Sequence, residues 1–241
     1  ALVGAAPGIF LADKYTRSKE RVLVLGAGGG VGTTFCQRLL LQANDDGATL
    51  VVGVGSTRTG LLWKQSGGLF SSCEFIDYTE TDPFAVEKYL QKEHRFDVIA
   101  DFAGGGFQRL EERVKANEPI PVKTAAEGGR FLTTVPPIGP TYEVHSWFAL
   151  IRKFLLPCLW KAFISRTWYR SQLPAYTFGV GIPMERRRAS RPMELAAAGQ
   201  LQAVLDPDGP FSFTTEGVRD AFAKQQSRHA HGKVVIRVAE Q

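Results

Sequence analysis

Residues 21–32, RVLVLGAGGGVG, constrain the chain more than any other stretch. A run of branched apolar residues empties straight into a glycine-rich turn, and a helical pattern over 33–41 follows. Strand, glycine turn and helix in that order predict a nucleotide-binding βα unit. Ala27, Gly29 and Gly32 stand at the offsets of the three glycines of G-x-G-x-x-G, with alanine in place of the first. A small residue lets the strand turn sharply, the middle glycine lets backbone N–H groups approach a pyrophosphate, and the last lets the helix close on the sheet. The anion then meets the helix N-terminus, where unpaired N–H groups and the macrodipole favour negative charge. A purely structural turn could carry the same glycines; the flanking strand and helix are what favour the nucleotide.

The rest of the chain repeats the alternation. Strand-like runs recur at 48–54, 75–77, 96–100, 129–135 and 176–181, and the chain closes on a further apolar run at 233–238. Strands alternating with helical stretches predict an α/β fold of Rossmann type, a doubly wound parallel sheet. With 241 residues, 44% of them hydrophobic, the chain can bury a core without disulfides. Cys36, Cys73 and Cys158 are scattered and show no zinc spacing, so no metal site is expected and the thiols are read as reduced and mostly buried. The N-terminus lacks the basic leader and long apolar core of a secretory signal.

The end of the second strand decides between the two nicotinamide cofactors. An acidic residue there would bind the adenosine ribose 2′-hydroxyl, but the sequence reads GVGSTRT. Ser56, Thr57 and Arg58 instead offer hydroxyls and a guanidinium suited to a 2′-phosphate, which favours NADP(H). An ordinary polar loop with one solvated arginine is the alternative.

No side chain stands out as a catalytic acid, base or nucleophile, so the catalytic residues are unassigned. Hydride transfer from a reduced nicotinamide needs mainly positioning and exclusion of water, which is compatible with that. The four histidines are read as structural or surface residues.

A second anomaly lies between Glu143 and Glu185, where there is no acidic residue but Arg152, Lys153, Lys161, Arg166 and Arg170 occur. Trp147, Trp160 and Trp168, three of the four tryptophans, fall in the same stretch. Basic residues interleaved with tryptophan suit a protein partner or an anionic membrane surface over residues 144–184. A helical insertion packed over the cofactor cleft is the alternative. A membrane span is not expected, because each buried cation would cost about 2.5–3.5 kcal/mol and Pro157 interrupts the helix. Nucleic acid is not an expected partner, since no binding motif accompanies the charge.

Five motifs, VLVLGAGGGVGT at 22–33, FIDY at 75–78, FDVIADFAGG at 96–105, GGR at 128–130 and HGKVVIRV at 231–238, follow one another in an order and spacing that resembles the quinone-reductase-like medium-chain dehydrogenases. The similarity runs through nearly the whole chain, is weakest at 142–189, and is strongest to the zinc-free branch with mitochondrial and plastid-envelope members. It implies a cofactor site in which Gly29, Gly30, Val31 and Gly32 form the pyrophosphate loop and Ser56, Thr57 and Arg58 take the adenosine phosphate. Tyr78 would lie beside the adenine ribose, unless it is simply a half-buried aromatic at a strand end. Ala103, Gly104, Val135 and Pro136 would border the nicotinamide.

The resemblance further implies a split into a cofactor domain over 1–210, with the insertion at 142–189, and a return segment over 211–241. That segment normally joins a GroES-like catalytic domain, for which this sequence has no counterpart, so the terminal strand is expected to lack its neighbours. Two functions follow. One is an oxidoreductase passing hydride from NADPH to a quinone or activated alkene. The other is a non-catalytic accessory subunit of an organellar membrane complex that keeps the fold as a scaffold. An organelle, mitochondrion or plastid, is implied in both cases.

Overall fold

The computed structural model describes residues 6–46, 50–136, 146–179 and 186–238. Helix α1 (Ala6–Tyr15) precedes β1 (Arg21–Leu25), α2 (Gly30–Asp46), β2 (Leu50–Gly55), α3 (Thr57–Gln65) and β3 (Cys73–Asp77). A short α4 (Glu87–Leu90) leads to β4 (Val98–Asp101), α5 (Gly106–Lys115) and β5 (Arg130–Thr133). Helices α6 (Trp147–Leu150) and α7 (Leu156–Arg166), joined by a π-helical turn at Ile151–Leu155, precede β6 (Ala175–Phe178). The chain ends with α8 (Arg186–Ala197), β7 (Phe211–Ser212), α9 (Thr215–Gln226) and β8 (Ile236–Arg237).

The first six strands form one all-parallel sheet in the order β3-β2-β1-β4-β5-β6. The doubly wound fold expected from the sequence is therefore present. Alternation along β1 sets its two faces: Val22 and Val24 pack with Leu11 of α1 and Phe35 and Leu39 of α2, while Leu23 and Leu25 pack with Phe107 and Leu110 of α5. Both faces are buried, which is why the strand reads as a continuous apolar run. Gly53 interrupts β2 for a reason of space: a Cβ there would lie 2.2 Å from the indole of Trp63, which stacks on Phe70 with ring centroids 4.2 Å apart.

The terminal strand departs from expectation. It is cut to Ile236–Arg237 and is not left without neighbours, because it pairs in parallel with Phe211–Ser212. Ahead of it, Lys233 bridges Leu205 and Gly232 bridges Gly29. The return segment thus folds back onto its own domain. Residues 180–181 of the expected sixth strand, His145, and the side chains of Arg186, Arg187 and Arg188 lie outside the described residues.

Chain order reverses between β1 and β4, and their carboxyl ends diverge there into two loops running to opposite faces of the sheet. This switch point is where an open parallel sheet offers a crevice.

Candidate functional site

The chain leaves β1 through Gly26, whose φ of +73° lies in the left-handed region. A side chain there would also meet the backbone of Ala103, with a Cβ 3.0 Å from its nitrogen. The sharp turn therefore falls on Gly26, one residue ahead of the offset read from the fingerprint. Ala27 is buried, with its N–H donating to Val54 O at 3.0 Å.

Helix α2 starts at Gly30, and Thr33 N–H donates to Gly29 O at 2.9 Å. The amides of Gly30, Val31 and Gly32 consequently have no carbonyl within the helix to pair with. Gly32 seats the helix on the turn, since a Cβ there would be 2.3 Å from Gly26 O and 2.8 Å from Ala27 Cα. Gly29 is different: its added Cβ would meet only Gly26 O at 3.5 Å.

In front of this turn lies a groove of about 460 Å³ across the carboxyl ends of β1, β2 and β4. Gly29, Ser56, Tyr78, Ala103 and Gly104 line it. Ser56 caps α3 in extended backbone, yet its hydroxyl makes no bond to the helix amides. Tyr78 is half-exposed at the groove edge. Thr57 and Arg58 face elsewhere. Thr57 borders a separate cavity beside Trp63 and Asp77, and the Arg58 guanidinium pairs with Asp208 Oδ1 at 2.6 Å. Hydrogen bonds from the Thr57 and Thr79 hydroxyls hold the Asp77 carboxyl below its ordinary range.

The return segment supplies the groove's other wall, through Arg228, His229 and His231. Gly232 N–H donates to Gly28 O at 2.6 Å, and the stem of Lys233 lies against Gly30, where a Cβ would sit 2.8 Å from its Cδ. Asp206, buried to 1% exposure, accepts from His231 N–H at 2.7 Å. Lys224 lies 3.6 Å from Asp206 and 2.5 Å from Asp208. Arg58, Asp208, Lys224 and Asp206 therefore form one polar cluster that fastens the segment over the glycine turn. None of this was visible in the sequence. The HGK run reads as the start of a strand, and its partners Gly28 and Asp206 are remote in sequence or isolated in type.

His231 Nδ1 lies 3.0 Å from Thr59 Oγ1, and burial, reinforced by the Arg58 charge, pushes the imidazole below its ordinary pKa of 6.5. The sign is that of a base kept neutral. Above pH 6.5 both folded and unfolded chains hold neutral imidazole, and as pH falls the unfolded chain takes the proton first, so stability drops. Thermal melts of wild type and His231→Gln between pH 7.5 and pH 5 are expected to converge in slope only at the upper end, the variant losing less stability on acidification. An unchanged acid slope would rule out this role for His231.

Ala103 and Gly104 also border a second cavity of about 280 Å³, which Val135, Pro136, Tyr176 and Lys161 help enclose. Lys161 Nζ pairs with Glu111 Oε2 at 2.8 Å and sits 4.9 Å above the Phe107 ring. Tyr176 is buried, with its hydroxyl 4.0 Å from Cys158 Sγ; burial raises the pKa of both groups. The loop between groove and cavity is held by Asp101, 2% exposed. Its Oδ1 accepts from the N–H of Ala103 and Gly104 at 3.0 and 2.7 Å, and its Oδ2 from that of Gly106 at 2.9 Å. Burial nevertheless raises the Asp101 pKa, against those hydrogen bonds.

A parallel sheet of this order, with a glycine turn opening on a groove at its switch point, defines a dinucleotide-binding domain of dehydrogenase type. Residues 72–236 match the family described as zinc-binding dehydrogenase, and the chain belongs to that family. It is 27% identical over 219 residues to 2-methylene-furan-3-one reductase of Solanum lycopersicum, spanning 91% of this chain and 40% of the relative. To the mitochondrial NAD(P)H oxidoreductase RTN4IP1 of Mus musculus it is 27% identical over 235 residues, spanning 95% of this chain and 50% of the relative. The chain thus spans half or less of these curated relatives. Among solved structures, the quinone oxidoreductase of Coxiella burnetii superposes with a TM-score of 0.61 at 16% identity, covering 98% of this chain and 58% of that one. The Escherichia coli quinone oxidoreductase complexed with NADPH gives 0.58 at 17% identity, covering 98% and 63%. These two show the shared fold. The family's description names zinc, but the described residues do not fit it: no three His, Cys, Asp or Glu side chains among them are grouped to hold a metal ion.

Proposed function

We propose that this chain is the cofactor-binding part of an NADPH-dependent oxidoreductase that delivers hydride to a quinone or an activated carbon–carbon double bond. The observation that carries the reading is Gly29 at the start of α2, which lines the groove and where an added Cβ would meet nothing but Gly26 O, at 3.5 Å, so that the helix N-terminus stands open to the groove at that residue. The names of the matching relatives, a furanone reductase and NAD(P)H oxidoreductases, agree with that chemistry.

In this reading the α2 N-terminus would hold the pyrophosphate, with the side chain of Lys233 beside it against Gly30. Ser56 and Tyr78, both on the groove, would hold the adenosine ribose and its 2′-phosphate. Arg58 joins them by exchanging Asp208 for the phosphate, a swap of one charge-assisted hydrogen bond for another. Ala103, Gly104, Val135 and Pro136 would border the nicotinamide end. When bound, the cofactor supplies hydride; the chain's own residues orient the acceptor and keep water out. Lys161 and Arg228 are cations in the wall of the second cavity, and Lys161 is the group assigned to hydrogen-bond a substrate carbonyl oxygen as negative charge grows there.

Two relatives named as mitochondrial support an organellar location. Residues 144–184 are proposed to face a partner.

Fluorescence titration with NADPH and NADH tests the cofactor assignment. NADPH is expected to bind at least about tenfold more tightly, and Arg58→Ala to erase most of that preference by weakening NADPH alone. Equal affinities would remove the NADP assignment. Failure of both to bind would leave the fold as a non-catalytic scaffold. Lys161→Met is expected to raise KM for a quinone without altering NADPH affinity, measured by steady-state kinetics alongside the titration.

A further inference from the structure

Helix α7 is apolar on two sides. Its inner side buries Cys158 and Ile164 against β6, while Leu156, Leu159, Trp160 and Phe163 recur at helical spacing on the outer side and are exposed. Trp168 joins them: its ring centroid lies 5.7 Å from Trp160 and 6.0 Å from Phe163, and the residue is 69% exposed. Trp147, at the start of α6, is 76% exposed. A contiguous aromatic face of this kind marks a surface that something covers.

The charges around it say what. Arg152, Lys153 and Arg170 are exposed and form no ion pair among the described residues, and the sequence holds no carboxylate from residue 144 to residue 184. Arg166 anchors the helix end instead, donating to Tyr176 O and to Thr177 Oγ1. A second copy docked face to face would set these cations against their own counterparts. An anionic lipid surface fits both features, because indole rings settle at headgroup depth and lysine and arginine pair with lipid phosphates. No helix among the described residues is long and apolar enough to cross a membrane.

We propose that α6, α7 and the turn after them form a peripheral docking face for an anionic membrane, with Trp160, Phe163 and Trp168 inserted at headgroup level and Arg152, Lys153 and Arg170 bound to phosphates. The proposal stands apart from the redox reading, since vesicle binding requires no cofactor.

The test is co-sedimentation of the full chain with phosphatidylcholine vesicles, with and without about 30 mol % phosphatidylglycerol, at low and high salt. Binding to the anionic vesicles is expected to exceed binding to neutral ones by about tenfold or more and to fall as salt rises. Trp160→Ser with Trp168→Ser, and separately Arg152→Gln with Lys153→Gln, are each expected to reduce it while circular dichroism and melting stay unchanged. Equal binding to both vesicle types, no binding by folded wild type, or binding untouched by both variant pairs overturns the proposal. So does a dimer that the tryptophan substitutions dissolve without any vesicle binding, or binding to an acidic polypeptide with none to vesicles.

Discussion

Asp101→Ala is expected to destabilise the protein by about 3–5 kcal/mol, seen in thermal or chemical unfolding, because it strips three backbone donors, the part-buried N–H groups of Ala103 and Gly104 and the buried one of Gly106, of one acceptor at once. The N–H groups of Ala103, Gly104 and Gly106 converge on one carboxylate that is 2% exposed, and the Gly106 bond is buried, so there water does not replace the lost acceptor. Two of the intervening residues, Gly104 and Gly105, hold φ of +92° and +84°, the left-handed turn that brings the three N–H groups round to one carboxylate. Asp101→Asn keeps the size and one acceptor oxygen but turns an amide N–H₂ toward a donor, so a smaller loss of about 2 kcal/mol is expected. For a chain of this length the alanine variant should lower Tm by about 8–15 °C. A change under about 2 °C would mean that the loop holds itself. Since Ala103 and Gly104 line both groove and cavity, nicotinamide binding should weaken in parallel.

The second large effect separates two glycines that look alike in sequence. At Gly32 an added methyl would lie 2.3 Å from Gly26 O and 2.8 Å from Ala27 Cα, both backbone atoms of the turn itself. Nothing flexible can give way, so Gly32→Ala is expected to cost about 2–3 kcal/mol and to lift α2 off the turn. NADPH affinity should fall by about a hundredfold as the amides of Gly30 and Val31 lose their aim. At Gly29, which lines the groove, the methyl would make only an ordinary contact, 3.5 Å from Gly26 O. Gly29→Ala should therefore leave stability within about 0.5 kcal/mol of wild type and still weaken NADPH binding by about tenfold or more. Melting curves and titrations on the two variants decide the matter together. Normal NADPH binding by a folded Gly29→Ala protein would mean that no pyrophosphate lies there.

The βα unit was legible because each of its parts is local. A continuous apolar run buried on both faces, a glycine turn and a helix start all lie within about one supersecondary unit of sequence. Even there the detail moved: the left-handed residue is Gly26, because positive φ depends on how the loop after β4 crowds the turn, and Ala103 is remote in sequence. The adenosine end shows the same limit. Ser56, Thr57 and Arg58 are consecutive, but entry into a helix sends successive side chains about 100° apart. Ser56 alone lines the groove, while Arg58 reaches Asp208, a partner 150 positions away.

What the sequence by itself determined is the class of fold, the order of its strands and helices, and the place of the glycine turn, since periodicity and turn chemistry act over a few residues. Tertiary structure alone decided that the HGK segment folds over that turn, that Asp206, Asp208, Lys224 and Arg58 fasten it, and that one side of α7 faces outward. Those outcomes rest on contacts between segments far apart in the chain, where desolvation, ion pairing and backbone hydrogen bonding are settled by which surfaces meet and leave no periodic trace in the residues that make them.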